Sequence, residues 1–189
     1  MLIDITMKVT PAMVKTAPEK ENTALIGHLG THFDVMEQEF PLSYTRREGI
    51  VFDVSDVKGR DISGSDIDMD LVKKDQFVCF YTGFIEEVGY GGKEYFGEHP
   101  QLSEELIDAL IEKSISLIGL DFAGVRRGKE HIPKDRYCAD RGVFIIENLC
   151  CLKAVTEAGG RCIMHTYPVN YEGMTGLPCR VVAEVADQN

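Results

Sequence analysis

Residues 103–120 read as a helix running directly into a buried strand, a pairing that restricts the chain to folds layering helices on a sheet. Ser103 fits a helix N-cap, and Glu104 and Glu105 occupy the first turn, where carboxylates complement the helix dipole. Leu106, Ile107, Leu110 and Ile111 then share one face of a helix predicted over Ser103–Ser114. Ile115–Leu120 is a short apolar run ending at Asp121, with the length and composition of a strand.

The rest of the chain fits the same class. Met1–Thr6 alternates as a short strand does, Ala24–Val35 and Gly49–Val57 are β-rich, and Phe77–Tyr81 is a buried strand leading into Thr82-Gly83. Ile146–Ala158 is predicted to be a second helix, stopped by Gly159-Gly160, and Arg161–Val169 and Arg180–Val185 close the chain as strands. No repeat, low-complexity tract or Pro/Ser-rich linker divides it. The expectation is one mixed α/β (α+β) domain over residues 1–189, a length that can bury a real core.

The net charge of −11 works against a nucleic-acid role, because phosphate binding needs clustered Lys and Arg. No basic amphipathic stretch and no apolar run of the roughly 18 residues a membrane span requires points to a membrane. The opening MLIDITMKVT lacks the positive region and apolar block of a signal peptide. Six scattered cysteines without a C-x-x-C pair read as reduced thiols and exclude a zinc ribbon. Together these features lead us to expect a cytoplasmic protein.

Chemistry concentrates in Gly27-His28-Leu29-Gly30-Thr31-His32-Phe33-Asp34. Imidazole nitrogens and a carboxylate at this spacing are ligands that a borderline divalent metal accepts. Gly27, Gly30 and β-branched Thr31 argue against a helix here. On a strand, His28, Gly30, His32 and Asp34 project to one side, while Leu29, Thr31, Phe33 and Val35 face the core. Four extended residues span about 13 Å, too far for both histidines to reach one ion, so the chain must bend. Gly30 permits the bend and leaves open space for water or substrate. Spacing alone fits two ordinary histidines beside a turn aspartate equally well. Glu147, on an apolar edge, needs a partner if it is buried, and a metal would be one. Taken by itself it also fits an exposed first-turn glutamate stabilised by the helix dipole.

His28-Leu29-Gly30-Thr31-His32-Phe33-Asp34 resembles the H-x-G-T-H-x-D motif of the cyclase family, which includes kynurenine formamidases and isatin hydrolases. The likeness continues through Tyr81-Thr82-Gly83-Phe84, Glu94-Tyr95-Phe96 with His99-Pro100, Leu117–Asp121, Gly142–Leu149 and Leu177-Pro178-Cys179-Arg180. It implies a swivelling β/β/α fold assembled as a homodimer or homotetramer, and hydrolysis of a small amide, cyclic amide or ester by metal-activated water. It also implies that His28, His32, Asp34 and Glu147 hold a divalent ion, Zn²⁺ or Mn²⁺, and that Gly30, Thr82 and Phe84 contact the small-molecule substrate. Two departures stand out. The family motif runs on to a proton-transferring histidine where this chain has Gln38, whose amide can orient water but cannot act as acid or base. Asp135 stands where the family has a metal-binding histidine, twelve residues before Glu147. As a ligand it would shift preference towards Mn²⁺ or another hard ion, and it fits an exposed loop carboxylate as well. His131, four residues before Asp135, is the substitute base this pattern suggests. His99 and His165 have weaker claims. Gly89–Gly92 lacks the spacing and lysine of a P-loop.

Overall fold

The computed structural model describes residues 1–7 and 27–186. Its strands are β1 (Leu2–Asp4), β2 (His32–Asp34), β3 (Arg46–Asp53), β4 (Phe77–Tyr81), β5 (Leu117–Leu120), β6 (Phe144–Glu147), β7 (Arg161–Pro168) and β8 (Gly176–Glu184). They pair in the order β1-β8-β2-β6-β5-β4-β3-β7, and β7 pairs again with β8, so seven strands close into a barrel with β1 as an outer edge. Closure depends on the length of β8. One edge of β8 takes β7, and the other takes β2 through Gly176–Pro178 and β1 through Val182–Glu184.

Five α-helices complete the mixed α+β architecture among the described residues: α1 (Phe84–Val88), α2 (Lys93–Glu98), α3 (Glu104–Glu112), α4 (His131–Ala139) and α5 (Leu152–Glu157). Strands β3, β4, β5 and β6 run parallel, and β4, β5 and β6 are near-continuous apolar runs because both faces are covered. One core cluster takes residues from every barrel strand, including Phe33, Val51, Phe77, Leu117, Ile146, Met164 and Val181, and therefore fills the lumen. The second takes the alternate residues Ile50, Val78, Phe80, Ile118 and Ile145 with Leu106, Ile107, Leu110 and Cys138 of α3 and α4, and so lies outside the barrel.

Phe77–Tyr81 is a strand as predicted, and the Ser103 hydroxyl caps α3 by accepting from Leu106 N at 3.2 Å. The predicted helix over Ile146–Ala158 is corrected. Residues up to Glu147 are a strand, and Asn148 (φ 60°) and Cys151 (φ 56°) break the backbone before α5 begins at Leu152. A short apolar run such as Phe144–Ile146 suits a buried strand and a buried helix equally by periodicity, and pairing with β5 decides it. The predicted strand over Gly49–Val57 shifts to Arg46–Asp53, and that over Ala24–Val35 shortens to His32–Asp34, with residues 24–26 outside the described residues. No helix among the described residues is long and apolar enough to cross a membrane.

Candidate metal centre

The barrel's outer face at β2 and β6 carries the polar residues that the lumen cannot accept. Phe33 points inward, so its neighbours His32 and Asp34 point outward, beside Ile145 and Glu147 on the adjoining strand. Upstream of β2 the chain bends, and Gly30 takes a positive φ of 76°. This bend draws His28 back over the strand, so that its Nδ1 lies 3.1 Å from both His32 Nε2 and Asp34 Oδ1. His32 Nε2 is 3.5 Å from Asp34 Oδ1 and 3.6 Å from Glu147 Oε2. The His32 Nδ1–H donates to the Gly30 carbonyl at 2.9 Å, which leaves Nε2 bare towards these groups.

Helix α4 lies across this face and supplies a second set. His131 and Asp135 are four residues apart on one side of the helix, with His131 Nε2 3.1 Å from Asp135 Oδ2 and 3.6 Å from Glu147 Oε1. The His131 ring fits only because residue 124 is glycine. There φ is 93°, and a Cβ would stand 2.6 Å from the imidazole. Ligand atoms of His28, His32 and Asp34 lie within 4.8 Å of one another, as do those of His131, Asp135 and Glu147. Glu147 joins the two sets, one oxygen turned to each.

Three carboxylates buried this closely cannot all ionise without a cation. Burial works to raise Asp34, but the imidazoles of His32 and His28 hold it well below the usual carboxylate range. Burial, and then Asp34 and Asp135, push Glu147 well up; burial and Asp34 push Asp135 well up. Burial would lower His32, and Asp34 raises it. Both oxygens of Asp34, both of Asp135 and Oε1 of Glu147 are buried without a well-formed hydrogen bond. Such orphaned acceptors are costly in a protein interior. Carboxylates and bare imidazole nitrogens converging this way fit divalent cations, which would satisfy them together.

The Cyclase family model, described as "Putative cyclase", matches residues 3–126, about two thirds of the chain. The chain belongs to the Cyclase family. Solved structures agree over its full length. One titled "The Structure Of Potential Metal-Dependent Hydrolase With Cyclase Activity" is 27% identical with a TM-score of 0.79, covering 100% of this chain and 99% of that one. A "predicted metal-dependent hydrolase from Bacillus stearothermophilus" is 26% identical at 0.76, covering 97% of each. Isatin hydrolase A from Labrenzia aggregata shares the fold at 18% identity and a TM-score of 0.78, covering 99% and 94%. A search of the curated proteins finds no match.

Within this Cyclase-family chain the sequence-predicted site residues separate into two groups. His28, His32, Asp34, His131, Asp135 and Glu147 come together. His131, expected as the substitute base, lies in a group with Asp135 and Glu147 that could hold a metal. Gln38 does not reach the site. Met36 (φ 48°) and Glu37 (φ 67°) turn the chain outward, and the Gln38 amide donates to Asp140 at 3.0 Å on an exposed surface. Thr82 is buried elsewhere, its hydroxyl donating to Asp121 at 2.6 Å, and Phe84 stacks on Tyr95. Neither lines the cavity over the centre, nor does Gly30, whose carbonyl serves His32 instead. His99 packs on Phe122, and His165 faces Glu184 at 2.9 Å. Asn148, Thr175 and Arg136 do line the cavity, and sequence reasoning missed them. Asn148 directly follows Glu147, which was the available signal; nothing in the sequence marked Thr175.

Proposed function

We propose that this chain is a metal-dependent hydrolase of a small amide, cyclic amide or ester. The observation that carries the reading is the set of buried, unpartnered carboxylate oxygens on Asp34, Asp135 and Glu147 facing the imidazoles of His28, His32 and His131. His28, His32 and Asp34 would hold one divalent ion, and His131 and Asp135 a second, with Glu147 between them. Mixed nitrogen and oxygen donors suit Zn²⁺ or Mn²⁺. Such ions, when bound, polarise a carbonyl and lower the pKa of water.

The chain's own residues shape what enters. A cavity of about 430 Å³ over the centre suits a small molecule rather than a polymer. Met36, Phe96, Ala123 and Ile132 give it an apolar wall that excludes water and seats an apolar substrate body. Arg136 is the single Lys or Arg lining it among the described residues, and its guanidinium also donates to Met36 O at 3.3 Å and Glu37 at 2.9 Å. The acids and bases in the wall are those of the centre itself, so protons taken or released during turnover pass through them. Assembly as a homodimer or homotetramer accompanies this reading. The exposed apolar residues Leu42, Tyr167, Val169 and Tyr171 around a second groove support it.

Elemental analysis of purified protein, with turnover of N-formyl anilides, lactams and lactones before and after EDTA, tests the proposal. Metal-dependent turnover that His32→Ala abolishes supports it; protein that takes up no divalent metal defeats it. A second reading, a family member that binds a small ligand without hydrolysing it, is favoured by Gln38 facing Asp140 where the family motif carries its proton-transferring histidine. Tight metal binding without turnover of any of these compounds selects it.

A further inference from the structure

Just before β2, the Gly30 peptide is held at both ends. Its N–H donates to the Tyr90 hydroxyl at 3.2 Å, and its carbonyl accepts from His32 Nδ1–H at 2.9 Å and from Asn148 Nδ2 at 2.8 Å. A carbonyl cannot donate, so the contact to His32 requires the proton on Nδ1 and leaves Nε2 bare. Asn148 is itself unable to turn over. The Gly30 carbonyl can only accept, so Nδ2 must face it, and Oδ1 then accepts from the Tyr95 hydroxyl at 2.6 Å. The Asn148 backbone is fixed too: the carbonyl accepts from the Thr31 hydroxyl at 2.7 Å, and the N–H donates to Phe122 O at 3.3 Å. Tyr95 is fully buried, with its ring edge-on to Tyr90 at 5.3 Å. The remaining contact, Asn148 Nδ2 to His32 Nδ1 at 3.5 Å, would become a hydrogen bond only with the imidazole proton moved to Nε2.

We infer that Tyr95 and Asn148 are positioning residues for His32: they aim the Gly30 carbonyl that locks the imidazole in its Nδ1–H form, with Nε2 free to ligate a divalent cation. This rests on the metal-site reading above. Tyr95 does not line the cavity, and Asn148, which does, spends its amide on Gly30 and Tyr95. Their effect passes through one peptide group, as outer partners of metal-binding histidines commonly do.

Two measurements on the full chain test the inference: ¹⁵N-resolved NMR of the His32 tautomer in metal-free protein, and calorimetric affinity for Zn²⁺ and Mn²⁺. Wild type is expected to show a single Nδ1–H tautomer. Asn148→Ala should weaken metal binding about 10- to 100-fold. Tyr95→Phe keeps the packed ring and removes only the hydroxyl, so it decides the matter if the first variant does not fold. It should admit a population of the Nε2–H tautomer and weaken metal binding in the same direction, by less. A variant that melts earlier yet keeps the wild-type tautomer and affinity would reduce the pair to packing and overturn the inference alone. Wild-type protein that binds neither metal would overturn the metal reading and the inference with it.

Discussion

His28, His32 and Asp34 come from one short stretch of chain, whereas His131 and Asp135 come from α4 and reach the centre only because that helix crosses β6. The two halves also differ in charge balance. The strand half sets two imidazoles around one carboxylate, and Asp34 is held low. The helix half, with Glu147, sets one imidazole against two carboxylates, and both are pushed up. A half that satisfies its own anion can stand without a cation, whereas the other is relieved by one. By that balance, a bound cation would relieve the helix half most.

Removing the strand half is the most severe way to break that comparison. Asp34→Ala should remove the strand half's share of metal-induced stabilisation, up to about 4 kcal/mol for an ion at a thousandfold excess over Kd, read as a smaller shift in Tm. An undiminished shift would place the ion elsewhere.

A pH titration of metal-free protein separates the centre from its surroundings. His99, buried against Phe122, has its pKa lowered from 6.5 to about 4 by burial. The native state thus stays neutral while the unfolded chain protonates. Stability is full above pH 6.5 and falls as pH drops towards 4, by up to about 3 kcal/mol. Chemical denaturation across that window should show a flatter profile for His99→Gln than for wild type. Identical profiles would show that His99 does not set the slope.

Gly124→Ala acts on the helix half alone. The added Cβ meets the His131 ring and strains a left-handed backbone, at a cost of about 2 kcal/mol. Its metal stoichiometry should drop while the strand half still binds; loss of both sites together would mean the halves are one unit. The smallest effect has the opposite sign. Asp135 holds its proton more tightly in the native state than in the unfolded chain, so its burden on stability grows as pH rises above the usual carboxylate range. Asp135→Asn should therefore raise the stability of metal-free protein at neutral pH by about 1 kcal/mol, and lower that of the loaded protein. Equal shifts in both states would show that no ion binds there.

Much of the strand half was legible in the chain itself, since its ligands are local and Gly30 marks the bend that gathers them. The helix half was legible only as two residues four apart, because periodicity does not say what a helix crosses. Glu147 shows the limit most clearly. Its apolar neighbours fitted a helix start, and only pairing of β6 with β2 and β5 made it the last residue of a buried strand. Gln38 shows the converse. Its position along the motif suggested the site, but two successive left-handed residues turned it to the surface.

Local pattern in the chain was enough for the mixed α+β class, the strand Phe77–Tyr81 and the capped helix after Ser103, and it placed His28, His32 and Asp34 on one bendable stretch. Each depends on residues near one another along the chain, where side-chain period, capping and backbone freedom act directly. Closure of seven strands into a barrel, the arrival of His131 and Asp135 on α4 at the same face, and the contact of Asn148 and Tyr95 beside His32 came from the folded chain alone. Those outcomes depend on contacts between residues some 50 to 120 positions apart, such as Tyr95 with Asn148 and Gly30 with Asn148. Distant pairings of this kind form because burial of the whole core selects them, and no local pattern encodes them.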